Sequence, residues 1–414
     1  MRQVAGHQVE DWQGVKSLPR RFFDFANSQI EASREKNGRY TATDATAALQ
    51  FVSFSLFVGG HSGWELALRV AGDWYETTPV TSHDQPLRAM WELDNTSKFA
   101  SRIFLWFDIF SGLSDSSNET TSLIDLLIAI TLLTPPRFLH IYRRILGNEG
   151  GFWRRGLNME TTMGCPDDVL LAIAETANLA HWKEQQKRKS SLNYMELARL
   201  GEEIEKALRV GESVHAEEEA HQRRLEDQRT EVTRRITSSI TAATAVLVAS
   251  SSSSAPSSAG SSGMRSPSGS PRMSHSLPLR PEGLDDLEIQ SRAGRIFRAG
   301  AHLYLSSVVS DCKPRTPGIS AAVNDVMTAV QNLPCSDVDK SLVFPLCIAG
   351  CLSTTRDQRN VFRERLSPHH AVGNCHRAVQ VIDAVWAKRE AVADGIAVDW
   401  RGTMEELGLR LLLV

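Results

Sequence analysis

The side chains best suited to metal chemistry lie near the C-terminal end of the chain. Cys347 and Cys351 are four residues apart, and His369-His370 and Cys375-His376 follow them. A structural zinc site needs thiolate and imidazole ligands at repeated spacings such as C-x2-C, and the sequence contains no such pair. The apolar neighbours of Cys347 and Cys351 favour buried core thiols instead. We therefore predict no metal ligand in this chain.

Two Glu-x-x-His pairs, Glu212/His215 and Glu218/His221, resemble the helical motif of di-iron carboxylate bundles. The pairs are six residues apart, so a helix that turns about 100° per residue places them roughly 240° from each other. Ligands on opposite faces cannot share one metal pair, and the polar sequence around them would form no dry cavity. The sequence predicts a solvated helix at this position.

Motifs for covalent catalysis or phosphate binding are absent from the sequence. It has no G-x-S-x-G elbow, no G-x4-G-K-[ST] loop and no H-E-x-x-H motif. His302, in the apolar segment AHLYL, is best interpreted as a core histidine. We assign no catalytic residue and no cofactor-binding residue, and we predict that the chain is not an enzyme.

Basic residues occur in three short groups. They are Lys183 with Lys187, Arg188 and Lys189, then Arg223-Arg224, and then Arg234-Arg235. Interleaved acids cancel most of their field and no aromatic platform accompanies them, so we assign no DNA-binding residue. Within the first group, the run Lys187-Arg188-Lys189 is interpreted as a solvated loop at a helix end rather than as a nuclear-import signal. Ser266-Pro267 and Ser270-Pro271 offer only a weak signal for phosphorylation.

Composition is that of an ordinary globular protein. The 414 residues have a formal net charge of -3 and are 42% hydrophobic, which excludes a polycationic nucleic-acid coat. Six cysteines are too few for a disulfide scaffold. The apolar stretch Leu123 to Leu133 contains Asp125 and is shorter than the roughly 20 residues of a membrane span. The N-terminus has no apolar signal-peptide core, so we predict a soluble intracellular protein.

A serine-rich segment divides the chain. Half of the 28 residues from Ala249 to Ser276 are Ser, and such a segment buries too little apolar surface to become ordered. We predict four parts from the sequence: a partly disordered N-terminal extension, two halves of one helical region, and a disordered Ser/Pro-rich linker between those halves. Their predicted limits are 1–40 for the extension, 41–240 and 284–414 for the halves, and 245–283 for the linker.

Helical periodicity dominates both halves. Apolar residues recur at three and four residues after Gly164-Cys165-Pro166-Asp167-Asp168, from Leu192 to Arg209, and from Leu287 to Val309. At the end of the chain, Asp399 is predicted to cap a helix that reaches Leu411. Strand patterns are scarce, and the hairpin-like dipeptide Asp394-Gly395 lies between two predicted helices. The predicted fold class is all-α, an irregular multi-helix bundle with a long disordered Ser-rich insertion.

Several segments, in this order, resemble the fungal-specific transcription-factor domain of the binuclear zinc-cluster regulators. The similarity is strongest in GCPDDVLLAIAETANLAHWK with ELARLGEEIEKALR, and in the block SLVFPLCIAGCLSTTRDQRNVFRERL, AVQVIDAVWAKRE and DWRGTMEELGLRLLL. RIFRAGAHLYLSSVVSDCKP precedes that block as the family's corresponding helix would. FLWFDIFSGLS and GGHSGWELALRVAGDWYE fit the N-terminal half more loosely. The resemblance extends from about Thr43 to the C-terminus.

The resemblance implies a helical regulatory domain that controls RNA polymerase II transcription in the nucleus. Implied partners are the transcription machinery and a second zinc-cluster factor, in a homodimer or heterodimer. Members usually carry an N-terminal C-x2-C-x6-C zinc cluster that contacts DNA, whereas this chain begins where that cluster would have ended. We therefore expect a truncated gene model or a cluster-free paralogue, and the resemblance transfers no zinc ligand or DNA contact. Zinc is expected only if a missing cluster exists.

Two alternatives stay open at the level of sequence. A cluster-free chain would act as a cofactor or decoy that pairs with intact relatives. A helical domain with an apolar pocket would instead bind a small effector. Four aromatic residues bear on this choice, and we interpret them as core packing rather than an exposed recognition face: Trp182, Phe344, Trp386 and Trp400.

Overall fold

Helices are the only regular elements in the part of the chain that the structure describes. The computed structural model describes residues 24–58, 64–113, 136–147, 156–251, 286–367, 373–392, 397–409 and 411–414. The predicted all-α class is confirmed over these ranges. Most of the predicted extension 1–40, the predicted linker from residue 252 onward, His369-His370 and Asp394-Gly395 lie outside them.

The helices before the serine-rich segment are α1 (24–37), α2 (Ala42–Val58), α3 (Trp64–Glu76), α4 (Pro79–Ser82), α5 (Pro86–Glu92), α6 (Asn95–Ser111), α7 (Leu139–Leu146), α8 (Met159–Met163), α9 (Asp167–Arg188) and α10 (Tyr194–Ser251). Those after it are α11 (Asp286–Val309), α12 (Pro317–Gln331), α13 (Val343–Leu352), α14 (Arg356–Leu366), α15 (Asn374–Ala391) and α16 (Trp400–Glu406), with a 3-10 helix at Asp337–Ser341.

By internal contacts the chain divides into two units. One comprises Met1–Leu208 with Arg280–Val414, and the other comprises Arg209–Leu279.

An aromatic core holds together the N-terminal helices of the first unit. Helix α3 packs against α2 and α6, and α9 packs against α6 and α7. The Tyr75 ring lies 5.0 Å from the Phe104 ring and 5.1 Å from the Phe138 ring, measured between centroids. Tilted and edge-on contacts at this distance are the preferred geometry of aromatic pairs.

Helix α13 forms the centre of the C-terminal part, because all ten of its residues are buried. It packs against α11, α14 and α15. The approach of α11 is close: a Cβ atom added at Gly300 would lie 2.6 Å from the Cβ atom of Pro345. Phe344 reaches both sequence halves, since its ring centroid lies 5.4 Å from that of Phe110 on α6 and 5.8 Å from that of Tyr304 on α11. The residues before and after the insertion therefore share one core.

Local capping explains where several helices begin. The Asp94 carboxylate accepts the backbone N–H groups of Thr96 and Ser97, and Thr355 forms a reciprocal capping box with Gln358. The predicted cap at Asp399 is confirmed, because its side chain accepts the N–H of Arg401. The predicted extension of that helix to Leu411 is wrong. Helix α16 ends at Glu406, and Gly408 follows it with a φ of 63°, a backbone conformation that favours glycine.

The described part of the second unit is the helical stretch 209–251 of α10. The sequence predicted one helix that ends near Arg209, followed by a solvated helix, and the structure joins them in one element. Residues 245–251, where the linker was predicted to start, are also helical. The segment TAATAVLVA, residues 241–249, is rich in Ala and lacks Gly and Pro, which favours helix over coil.

Candidate functional site

A buried arginine connects three helices of the first unit. The Arg298 guanidinium on α11 donates to both carboxylate oxygens of Asp168 on α9, at 2.7 Å and 3.2 Å. It also donates to the backbone carbonyl of Leu208 on α10, at 3.0 Å. Only 9% of the Arg298 side chain is exposed. A two-point contact of this kind fixes orientation as well as distance, so Arg298 sets how α9, α10 and α11 meet.

A buried lysine makes a second such connection. The Lys183 ammonium on α9 lies 2.6 Å from the Asp311 carboxylate and also donates to the backbone carbonyl of Val308, near the end of α11. A cation is favourable there because the last carbonyls of a helix carry partial negative charge. Lys187, Arg188 and Lys189 of the same basic group are exposed, whereas Lys183 is 4% exposed. Its aliphatic stem lies on the packed face of α9.

The loop that receives Lys183 has an unusual backbone. Asp311 and Cys312 have φ values of 54° and 51°, in the left-handed region that non-glycine residues rarely adopt. Burial acts to raise the pKa of Asp311, but hydrogen bonds from Lys183 and Lys187 outweigh it and hold that pKa below its ordinary value. The two lysines thus stabilise a conformation whose intrinsic cost is about 1–3 kcal/mol per residue.

The C-terminal helix α16 closes the same region. The Arg401 side chain donates to the backbone carbonyl of Leu113 at 3.3 Å and to the hydroxyl of Tyr304, and its guanidinium lies over the Trp400 ring. The Cys312 thiol lies 3.6 Å from the Asp399 carboxylate. We call Lys183, Asp311, Cys312, Asp399 and Arg401 the polar hub.

The polar hub is built to position helices rather than to react. Burial, and next the Asp399 carboxylate, raise the pKa of the Cys312 thiol to about 12, so it is not a nucleophilic thiolate near neutral pH. The Asp311 carboxylate is bound by two lysines, and Asp399 caps α16. Over the described ranges, no group of three or more His, Cys, Asp or Glu side chains is arranged to hold a metal ion.

A buried carboxylate lies apart from the hub, between α3, α6 and α7. Asp108 is 9% exposed and accepts the Tyr142 hydroxyl at 2.7 Å. The buried Tyr75 hydroxyl belongs to the same cluster. Burial raises the pKa of Asp108 from 3.8 to about 6, and the hydrogen bond from Tyr142 only partly opposes this.

The pH dependence of stability should therefore change in Asp108→Asn. The folded state holds the Asp108 proton more tightly than the unfolded chain does. The protonated carboxyl thus stabilises the fold below about pH 4, and this contribution is lost as the pH rises through about 6. A shift of about two pKa units corresponds to about 3 kcal/mol. Between pH 4 and 7, measured by urea unfolding, wild type should lose about this much stability relative to Asp108→Asn.

Asp94→Asn provides the matched control for that measurement. Hydrogen bonds from the side chain and then the backbone of Ser97 lower the pKa of Asp94, so its contribution to stability is lost as the pH falls rather than as it rises. That loss occurs below about pH 4, so Asp94→Asn should follow the wild-type profile between pH 4 and 7 and differ from it only at lower pH. Parallel profiles for wild type and Asp108→Asn would contradict the assignment.

The residues singled out from the sequence lie in different places. Cys347 and Cys351 are fully buried in α13, where burial raises the pKa of Cys351 well above its ordinary value. Glu212 and His221 are exposed on α10, and His302 is half-buried on α11. Of the four aromatic residues, Phe344 and Trp400 are fully buried, while Trp182 and Trp386 pack half-buried against the core.

Sequence reasoning missed Arg298, Asp168 and Asp311. One signal was available: Arg298 stands between Phe297 and Ala301 in a predominantly apolar stretch, and a charge there calls for a buried partner. Which carboxylate supplies the partner was not readable, because Asp168 is 130 residues away in sequence.

Within the described residues, no helix has both the length and the apolar character needed to cross a bilayer.

Residues 24–414 match the family described as fungal specific transcription factor domain. No solved structure shows a significant match.

Several named proteins are similar to parts of the chain. Transcription factor dibT of Pestalotiopsis microspora is 23% identical over 299 residues, which are 70% of this chain and 40% of dibT. The ustiloxin B cluster transcription factor ustR of Aspergillus flavus is 27% identical over 29% of this chain and 21% of its own length. Trichothecene biosynthesis transcription regulator TRI10 of Trichoderma arundinaceum is 28% identical over 29% of each chain. The chain thus spans less than half the length of these relatives. Because the family match covers nearly all of it, the chain belongs to the fungal-specific transcription factor domain family.

Proposed function

We propose that this chain is the regulatory helical domain of a fungal transcription regulator, and that it controls RNA polymerase II transcription in the nucleus through protein partners. The family match over residues 24–414 is the observation that carries the proposal. The relatives named as transcription factors or regulators support it, although each is matched over less than half of its own length. The family points to a regulator rather than a catalyst.

The architecture is suited to transmitting the effect of a bound partner from one helix to another rather than to catalysing a reaction. Arg298, Lys183 and Arg401 each join helices that are distant in sequence, so a partner bound to one helix would strain the others. The thiols of Cys312 and Cys351 have raised pKa values because they are buried, which makes them poor nucleophiles. A cluster-free cofactor or decoy would use the same scaffold and differ only in its partners.

A reporter experiment tests the proposed function. The full chain is fused to a heterologous DNA-binding domain in a fungal host, and transcription from a promoter that carries the matching sites is measured. We expect reporter transcription to differ from that with the DNA-binding domain alone. A fusion carrying Phe344→Ala, compared at equal protein level, should lose the effect because its core is disrupted.

Deletion of the gene provides the second readout. Transcript profiles of the deletion strain should change for a limited set of genes. The names of ustR and TRI10 suggest biosynthetic gene clusters as the first place to look. An inactive fusion together with an unchanged transcript profile would reject the proposed function.

A further inference from the structure

A guanidinium on α15 keeps one of its edges buried and without an acceptor. The Nη1 atom of Arg389 donates to the backbone carbonyl of Ser353, just beyond the end of α13, at 3.1 Å. Its Nε and Nη2 atoms are also buried, but neither has a hydrogen-bond partner within the part of the chain that the structure describes. Buried polar groups in native proteins are almost always hydrogen-bonded, and an unmet donor is most costly on a charged group. This edge of Arg389 therefore requires an acceptor.

Contacts between helices hold the guanidinium in place. One turn before Arg389, the Trp386 indole N–H donates to the backbone carbonyl of Gly350 on α13, at 3.1 Å. The adjacent Lys388 ammonium donates to the hydroxyl of Thr403 on α16, at 3.3 Å. Arg389 thus lies on a helix that is bonded to both α13 and α16, and these elements fix its position before any ligand arrives.

The thiols that interact with Arg389 do not neutralise its charge. Burial lowers the pKa of Arg389, and electrostatic interactions with Cys351 and Cys312 oppose that shift. Burial also raises the pKa of both thiols, to about 12 for Cys312 and well above the ordinary value for Cys351, so both are uncharged near neutral pH. Over the described ranges, Arg389 forms no ion pair with a carboxylate. Because Cys312 belongs to the polar hub, Arg389 lies beside that hub.

The polar hub has no excess negative charge with which to balance Arg389. It contains two cations, Lys183 and Arg401, and two carboxylates, Asp311 and Asp399. The Asp311 carboxylate is bound by Lys183, and the Asp399 carboxylate acts on Arg401 by raising its pKa. Arg389 adds a third cation to this region, so a single further negative charge would make the region neutral.

We propose that the free edge of Arg389 binds the carboxylate of a small organic acid from solution. The parallel N–H groups of Nε and Nη2 match the two oxygens of a carboxylate, which makes the contact bidentate. One negative charge balances the one cation, whereas a phosphate dianion would leave a negative charge in excess. Cys351, whose thiol interacts with Arg389, is fully buried, and in such surroundings a charge-assisted hydrogen bond is stronger than at the surface.

Titration of the full-length chain with acetate tests the proposal, and acetamide, which has nearly the same shape without the charge, is the control. Binding is followed by saturation-transfer NMR of the ligand methyl group at constant ionic strength, up to about 50 mM ligand, well above the expected dissociation constant. We expect acetate to bind with a dissociation constant on the order of 1 mM, since it is so small a ligand. Acetamide should bind at least roughly tenfold more weakly.

Two substitutions on α15 test which residue holds the anion. Arg389→Lys keeps the positive charge but removes the two parallel donors, so it should weaken acetate binding about tenfold or more. Arg377→Lys, the same change in a half-buried arginine that donates to Gln380, should leave the dissociation constant unchanged. Circular dichroism of both variants checks that their helix content is retained.

The side-chain NMR signal of Arg389 gives a readout on the wild-type protein itself. In protein made with isotopically labelled arginine, the Nε–H signal of Arg389 is identified by its absence from Arg389→Lys. This signal should move when acetate is added to wild type and should stay in place when acetamide is added, because only the carboxylate accepts both N–H groups.

Three results with acetate would overturn the proposal: no saturable binding, binding equal to that of acetamide, or binding unaffected by Arg389→Lys. A fourth concerns Asp394, which follows Arg389 in sequence outside the described residues. Acetate binding to Asp394→Asn but not to wild type would assign the edge to the Asp394 carboxylate and so would also overturn the proposal. All these measurements use purified protein without a promoter, so their outcome is separate from the reporter output by which the proposed function is judged.

Discussion

Replacing Arg298 with Ala is expected to lower the free energy of unfolding by about 3 kcal/mol. The substitution removes two charge-assisted hydrogen bonds to Asp168 and the donor to the Leu208 carbonyl, in a place where the arginine is 9% exposed. Asp168 is 36% exposed, so water compensates part of the loss. The measurement is the shift in the urea unfolding midpoint, read by circular dichroism.

The exposed Arg295 on the same helix provides the control for Arg298→Ala. Arg295→Ala should change stability by less than about 0.5 kcal/mol, as is usual for surface positions. A double-mutant cycle with Asp168→Ala isolates the ion pair, and we expect the two losses to be strongly non-additive. Equal effects of Arg298→Ala and Arg295→Ala would show that the buried contact contributes nothing specific.

Phe344→Ala is expected to cost about 3–5 kcal/mol, the range for removal of a buried aromatic side chain. Phe344 is fully buried and packs between Phe110 and Tyr304, which belong to the two different sequence halves. The cavity would therefore weaken the junction of those halves. We expect the whole first unit to unfold at a lower urea concentration. The helical circular dichroism signal should be lost, and the tryptophan fluorescence should change, at the same urea concentration.

Phe99→Ala is the control that distinguishes removal of a buried aromatic side chain from removal of an exposed one, because Phe99 on α6 is 53% exposed. It should alter stability by no more than about 0.5 kcal/mol. Phe344→Leu, which retains most of the buried volume, should cost about 1–1.5 kcal/mol. If Phe344→Ala behaved like Phe99→Ala, the two halves would not share the core described above.

Phe344→Ala and Arg298→Ala can also be used in the reporter experiment that tests the proposed function. A regulator that works through a folded scaffold should lose output in Phe344→Ala and Arg298→Ala, and it should keep output in Phe99→Ala and Arg295→Ala. Such a pattern separates dependence on the fold from a contact made by one surface side chain. It requires that the proteins be compared at equal abundance, since destabilised variants are degraded faster.

The sequence by itself determined the fold class, the extent of several helices and the Asp399 cap. These features depend on residues within a few positions of one another, and helical periodicity and capping are local properties that a single segment displays. Where local signals competed, the prediction was wrong. The apolar spacing toward Leu411 predicted that the helix continues, but Gly408, which has a positive φ, follows its actual end.

Tertiary structure alone decided which charged residues are buried and paired. Lys183 and Lys187 are similar in sequence context, yet the Lys183 residue is 4% exposed while 39% of the Lys187 side chain is exposed. The hydrogen-bond partners of Arg298, Lys183 and Arg401 lie 90 or more residues away. All of them except Tyr304, a partner of Arg401, lie on the other side of the insertion. A pairing across such a distance has no local signature, because it follows from the packing of whole helices and not from the order of their residues.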